Sequence, residues 1–379
     1  MIRRELSRAA RAAALSCAVL TLGTAVPATA ATTTTGTKPR VGDVQQAMET
    51  LAKTSGVVGA IGEVYVDGKR VGAGSAGSRL LGGKGGKIPS GARYRIGSQT
   101  KQMTATLLLQ LVEEGKISLD DKLADVLPDV VTKNQVERAG EITVRHLLRH
   151  LSGIPDYMPV GLFDFTTRYS PADLLALSRK KSRTVEIGTY QYSNTNYILL
   201  GLIIEKLTGH SLATEFKRRL FTPLGMKDTY LPVAPPQGIT GPHGHGYAAD
   251  DTGRMRDVDR VNASFLLGAG GVVSTAHDMS AFQRAFRRGK LLPASLQKVI
   301  TDPPEGLPPL PTGGMCGGSP EIAPAIAGSF PGFVSVTYTS ADGRMQFAVS
   351  TTLAMSDGER NAMNDVTRQA AKTVLCPQA

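Results

Sequence analysis

Residues 56–77 read GVVGAIGEVYVDGKRVGAGSAG, and apolar and small residues alternate on both sides of Asp67-Gly68. That pattern predicts a β-hairpin closed by a two-residue turn. The far end of the chain carries a counterpart: residues 333–352, FVSVTYTSADGRMQFAVSTT, alternate around Ser340-Ala341-Asp342-Gly343. Amphipathic helices are expected just outside the pair, over Val41 to Lys53 and Glu359 to Leu375. The middle of the chain, residues 120–260, reads mostly as helix and loop. Strands at both ends with a helix-rich middle imply an α+β fold of three α/β/α layers. One antiparallel sheet is built from the two chain ends and flanked by helices, with a mostly helical lobe inserted. A cleft forms where such lobes meet.

Length and composition are compatible with this. The chain has 379 residues, 41% of them hydrophobic, enough for one large core. Its +11 charge partly resides in a basic start (Arg3, Arg4, Arg8, Arg11). Without tryptophan or interleaved basic and aromatic residues, nucleic-acid binding is not expected. Residues 1–30 have a signal-peptide pattern: the basic start, an apolar run from Ala12 to Val26, and Ala28-Thr29-Ala30 as an A-x-A cleavage site. Export is therefore expected, with residues 31–40 a polar lead-in and residues 41–379 a single domain. The product would be secreted or cell-wall associated after cleavage near Ala30. The apolar run is too short to span a membrane, so no stable anchor is expected. Cys17 falls within the leader. Cys316 and Cys376 remain, and in an exported chain they are most simply one disulfide, with two free thiols the alternative.

The chemistry is expected at Arg95-Ile96-Gly97-Ser98-Gln99-Thr100-Lys101, where Ser98 opens a helical run that ends at Gly115. Three residues are just under one turn, so Lys101 shares a face with Ser98 and can take its proton if burial keeps the amine neutral. Ser-x-x-Lys recurs twice. Ser178-Arg179-Lys180-Lys181 sits in a run of like charge that reads as a solvated face, and Ser295-Leu296-Gln297-Lys298 reads as a surface helix start. Neither has a partner motif.

Tyr192-Ser193-Asn194 is the second chemical candidate, since a tyrosine and an amide on one turn can pass a proton and hold a substrate carbonyl. An ordinary packed turn is the alternative. His146 and His150 are four apart on a predicted helix, Ile142 to Leu151, but lack a third ligand in register. His243 and His245 lead into a strand, and a metal reading there is thin. Gly72-x-Gly74-x-x-Gly77 lies in a hairpin rather than between strand and helix, and the loop GGKGGK (82–87) lacks the Ser or Thr of a phosphate loop. Neither a metal nor a cofactor is expected.

Ser98-x-x-Lys101, His150-Leu151-Ser152-Gly153-Ile154-Pro155-Asp156-Tyr157, Tyr192-Ser193-Asn194, His245-Gly246-Tyr247 and Gly268-Ala269-Gly270-Gly271 occur in series. In order and spacing they resemble the serine β-lactamase and D-alanyl-D-alanine carboxypeptidase family, most closely its class C-like, actinobacterial carboxypeptidase branch, over about residues 45–375. The resemblance implies that Ser98 is the acylated nucleophile, Lys101 its base, Tyr192 the proton relay and Asn194 an orienter of the substrate amide. It also implies an oxyanion hole made by the N–H groups of Ser98 and Ser329, each worth about 3 kcal/mol. The third motif departs from the family pattern. Where a Lys-Thr-Gly or His-Thr-Gly is expected, this chain has Ile326-Ala327-Gly328-Ser329, keeping Gly328 but losing the cation and the hydroxyl that contact a substrate carboxylate. One lost charge-assisted hydrogen bond is worth about ten- to a hundredfold.

The expected function is thus a secreted serine acyl hydrolase, expected as a monomer, acting on D-alanyl cell-wall peptides, β-lactams or related small acyl substrates. An esterase of the same family is a variant, and Ile326 motivates a third reading, an impaired relative that binds peptide or cell-wall material without turnover.

Overall fold

The computed structural model describes residues 40–159, 167–233, 238–261, 263–304, 307, 315–317, 321–355 and 362–376. The expected leader lies outside them. Both hairpins form. Strands β1 (Val57–Val66) and β2 (Lys69–Gly77) pair antiparallel through Val66↔Lys69. Asp67 and Gly68 take φ of 49° and 81°, the left-handed pair that a tight hairpin turn requires. At the other end β3 (Ile326–Phe330), β4 (Phe333–Thr339) and β5 (Met345–Leu353) follow one another antiparallel. The sheet order is β2-β1-β5-β4-β3, so β1 and β5 pair, in register from Gly59↔Thr352 to Val66↔Met345 after a shift between Val57 and Gly59.

Strand alternation divides the core. Ala60, Val64, Phe347 and Val349 face helices α1 (Val44–Ala52) and the C-terminal helix Ala362–Leu375, packing on Met48, Leu51 and Val374. Ile61, Ala348 and Phe333 face the opposite layer, where Met103, Leu107 and Leu111 of α2 (Thr100–Glu113) join Phe282 and Phe286 of the helix Ala276–Arg287. The glycine string of β2 has a packing role: a Cβ on Gly74 would lie 2.5 Å from the Val44 carbonyl oxygen, so the glycine lets α1 lie close on the strand. Cys316 and Cys376 are joined as a disulfide, tying the end of the last helix to the segment before β3.

The inserted lobe is mostly helical. After Gly115, Leu123–Val126 and Pro128–Thr132 form short helices, the latter begun by Pro128. The helix expected over Ile142 to Leu151 is only Val144–Leu148: Thr143 caps it, and His150 turns to φ 58°. The strand expected after His243 and His245 forms as Tyr247–Ala249, paired in a two-stranded ribbon with Met255–Asp257. Among the described residues no helix is long and apolar enough to cross a membrane.

Candidate active site

Ser98 lies in a 3-10 turn, Gly97–Gln99, that runs into α2. Two glycines let β3 pass against this turn. A Cβ on Gly97, whose φ is 53°, would lie 2.7 Å from the Ser329 nitrogen, and one on Gly328 would lie 2.0 Å from the Ile96 oxygen and 2.7 Å from the Ser98 nitrogen. Any side chain at either position would push strand and turn apart. Gln99, fully buried, pins the turn from below: its Nε2 donates to Ser335 Oγ at 2.9 Å, and its Oε1 accepts from Thr337 Oγ1 at 2.8 Å.

The three candidate catalytic side chains meet. Ser98 Oγ is 2.8 Å from the Tyr192 hydroxyl and 3.2 Å from Lys101 Nζ. Lys101 Nζ also donates to Asn194 Oδ1 at 2.8 Å and to the Ala269 carbonyl at 2.6 Å. The amide of Asn194 is oriented by Asp156, whose Oδ2 accepts from Nδ2 at 2.9 Å, leaving Oδ1 for the lysine. Asn194 opens the helix Asn194–Thr208, so the helix start fixes the amide and the preceding turn carries Tyr192. The Tyr192 side is open, with 42% of the residue exposed.

The electrostatics separate the two proton-carrying groups. Burial pushes Lys101 down to about 7, opposed by the Asp156 carboxylate. Near neutral pH a large fraction of the amine is uncharged. Desolvation pushes the Tyr192 phenol up to about 12, so it stays protonated where the lysine titrates. A neutral amine has two N–H bonds. Here Asn194 Oδ1 and the Ala269 oxygen take both, which leaves the nitrogen lone pair for the Ser98 hydroxyl.

His150 was not singled out for this role, although its segment was. Its ring stacks on Tyr192 with centroids 4.6 Å apart, and its Nδ1 accepts from the Ser193 N–H at 3.2 Å. Burial, and then the adjacent lysine, push it down to about 3, so it is a neutral ring rather than an acid. His146 instead accepts from the Thr143 N–H at the helix start, so the two histidines do not converge. The solvated face expected at Ser178-Arg179-Lys180-Lys181 is corrected in part: Ser178 is buried, donating to the Pro155 carbonyl at 2.6 Å, and Lys181 donates to the Asp156 carbonyl at 2.7 Å. That face is packed beneath the Asp156 loop rather than wholly solvated. Ser295 and Lys298 lie on the short helix Ala294–Thr301. His243, His245 and Asp259 bring ligand atoms within 4.8 Å of one another. Zinc–nitrogen bonds of about 2.1 Å put tetrahedral donors roughly 3.4 Å apart, so this group is too wide as it stands. His243 pairs with Asp259 at 3.0 Å and His245 with Asp257 at 2.7 Å.

The β-lactamase family model matches residues 44–372. This chain belongs to the β-lactamase family. Within that family it is similar to penicillin-binding proteins and carboxypeptidases. It is 34% identical over 189 residues to penicillin-binding protein 4 of Amycolatopsis lactamdurans, covering 48% of this chain and 47% of that protein. It is 28% identical over 205 residues to the D-alanyl-D-alanine-carboxypeptidase/endopeptidase AmpH of Escherichia coli, covering 51% and 48%. The chain spans about half the length of these curated relatives. Among solved structures, a D-stereospecific amidohydrolase from Streptomyces sp. superposes with a TM-score of 0.71 at 27% identity, covering 89% of this chain and 98% of that one. The family's mixed helix and antiparallel-sheet fold is the one seen here.

Proposed function

We propose that this β-lactamase-family hydrolase works through an acyl-enzyme on Ser98. Neutral Lys101 takes the Ser98 proton as Oγ attacks a carbonyl carbon, and the Ser98 and Ser329 N–H groups receive the resulting oxyanion. Collapse of the tetrahedral species breaks the bond to the leaving amine or alcohol, which takes a proton from Tyr192. The Lys101 ammonium then gives its proton to the Tyr192 phenolate, restoring both groups, and water releases the acid by the reverse steps. Asn194 holds the lysine and orients the substrate amide. The observation that carries this reading is the arrangement at Lys101 Nζ, with two acceptors for its hydrogens and Ser98 Oγ at 3.2 Å.

The substrates we infer are D-alanyl peptides of the cell wall or related amides, esters and β-lactams, met outside the cell after removal of residues 1–30. Intact-protein mass after exposure to penicillin or a fluorophosphonate tests the reaction. One adduct on the wild type and none on Ser98→Ala is expected. An unlabelled wild type would leave the non-catalytic, peptide-binding relative as the reading.

A second reading concerns the leaving group. Ile326 stands where a cation would meet a carboxylate beside the scissile bond, and the Streptomyces neighbour is named as a D-stereospecific amidohydrolase. A D-amino acid amide hydrolysed faster than the matching D-alanyl-D-alanine peptide would favour that reading; the reverse order would favour a carboxypeptidase.

A further inference from the structure

A cavity of about 660 Å³ opens beside Ser98 and runs along α2 past Gln102 and Ala105, with Ile326, Ile300 and Pro303 on its walls. The seven helical rises from Ser98 to Ala105 make it roughly 10 Å long on that side. Arg287 also lines it. Two hydrogen bonds place this arginine along the cavity: Gln283 Nε2 donates to Gln102 Oε1 at 2.6 Å, and Gln110 Nε2 donates to the Leu291 carbonyl at 3.3 Å. Gln283 and Leu291 bracket Arg287 in the chain, and Gln102 and Gln110 bracket the second turn of α2. Arg287 therefore belongs to the end of the cavity away from Ser98.

Among the described residues this guanidinium has neither a hydrogen bond nor an ion pair, and its buried Nε is unpartnered. Asp302 also lines the cavity, yet burial lowers the arginine with no acidic neighbour opposing it. An arginine that is partly withdrawn from water and unmatched is costly to keep in a folded protein unless an anion arrives. On the α2 side Gln102 and Ala105 lie between it and the nucleophile, and the other side carries an apolar stretch, Ile326 at the third-motif position with Pro324 and Ile300.

We propose that Arg287 is a carboxylate-binding subsite, set apart from Ser98 by an apolar stretch, that selects amide or ester substrates carrying an acid group at the end of an aliphatic spacer. The inference rests on the acyl-enzyme reading above. It moves recognition of the acid from the atom next to the scissile bond to the far end of the cleft. A forked guanidinium suits a carboxylate, giving two parallel N–H···O bonds.

The test uses aliphatic monoamides of dicarboxylic acids, graded in chain length, against the corresponding neutral diamides. Each is used to protect Ser98 from a fluorophosphonate, and each is titrated directly into the full chain by calorimetry. An optimum length at which the acid outperforms the diamide by about tenfold or more is expected from one charge-assisted bond. Arg287→Gln should remove that preference, and Arg287→Lys should keep part of it; thermal melting checks that each variant is folded. Equal binding of acid and diamide at every length, or a preference that survives in Arg287→Gln, overturns the subsite. Absence of any labelling, with the acid preference still seen by calorimetry, would instead sink the acyl-enzyme reading and leave the subsite standing.

Discussion

His150 and Tyr192 lie face to face, their rings 26° from parallel with centroids 4.6 Å apart, and the histidine is held from behind by the Ser193 N–H and by Asn196 Nδ2 at 3.3 Å. The stack sets where the Tyr192 hydroxyl points. An aromatic pair of this kind is worth about 0.5–1.5 kcal/mol. His150→Ala should therefore let the phenol wander and lower kcat by about tenfold, with less change in KM. Because the ring is neutral, the pH profile of the residual activity should keep its shape. A shifted profile would show that the histidine acts as an acid or base.

The pH dependence of acylation follows from Lys101. With its folded value near 7, the rate of Ser98 labelling should climb as pH rises through about 7 and then level off, because the amine must be neutral to accept a proton. Tyr192, near 12, adds no second step in that range. Stability should move the same way. The unfolded lysine keeps its proton to its ordinary value of 10.5 while the folded one gives it up near 7, so unfolding takes up a proton between these values. This group's contribution to stability thus grows as pH rises across that window and is lost as pH falls toward 7. A labelling rate that is flat across neutrality would contradict the neutral-base assignment.

Asp156 acts through Asn194 and on Lys101 at once. Its charge favours the lysine ammonium, so Asp156→Asn should move the rising limb of the rate profile to lower pH. It also leaves a single side-chain oxygen for two donors, the Asn194 amide and the Met158 N–H, so the amide is held less firmly and the plateau rate should fall. A profile displaced toward higher pH would contradict this account.

Gly328→Ala tests the contact between β3 and the Ser98 turn. The added methyl would start 2.0 Å from the Ile96 carbonyl oxygen, and both partners are backbone. Overpacking of this kind costs about 1–3 kcal/mol, and here the strain falls on the Ser98 N–H. The variant should unfold at lower denaturant and label more slowly. Ala327→Gly, at the neighbouring strand position, should label much as the wild type does.

The large divisions of the fold were legible because the two hairpins carry both signals that matter, period-two alternation and an Asp-Gly turn. The Ser98 helix was legible for the same kind of reason, a long apolar run with a glycine stop. The His150 turn was harder to read. Val144 to Leu151 has helical spacing, and nothing in its local sequence shows that His150 leaves the helix to meet Tyr192, a contact made across some forty residues of chain. The partly packed Ser178 segment was misread because its charges suggest water, while its buried serine answers to the Pro155 carbonyl on a distant loop. Arg287 carried no motif at all. Its isolation emerges only when α2, β3 and the Ala276–Arg287 helix are brought together.

The pairing of β1 with β5 has a bearing on biogenesis. The first hairpin emerges with an unsatisfied flank, since its proper neighbour lies far along the polypeptide, Val66 pairing with Met345. Closure must wait for that late arrival, which makes folding slow and leaves a period when another strand-bearing segment could take the vacant place.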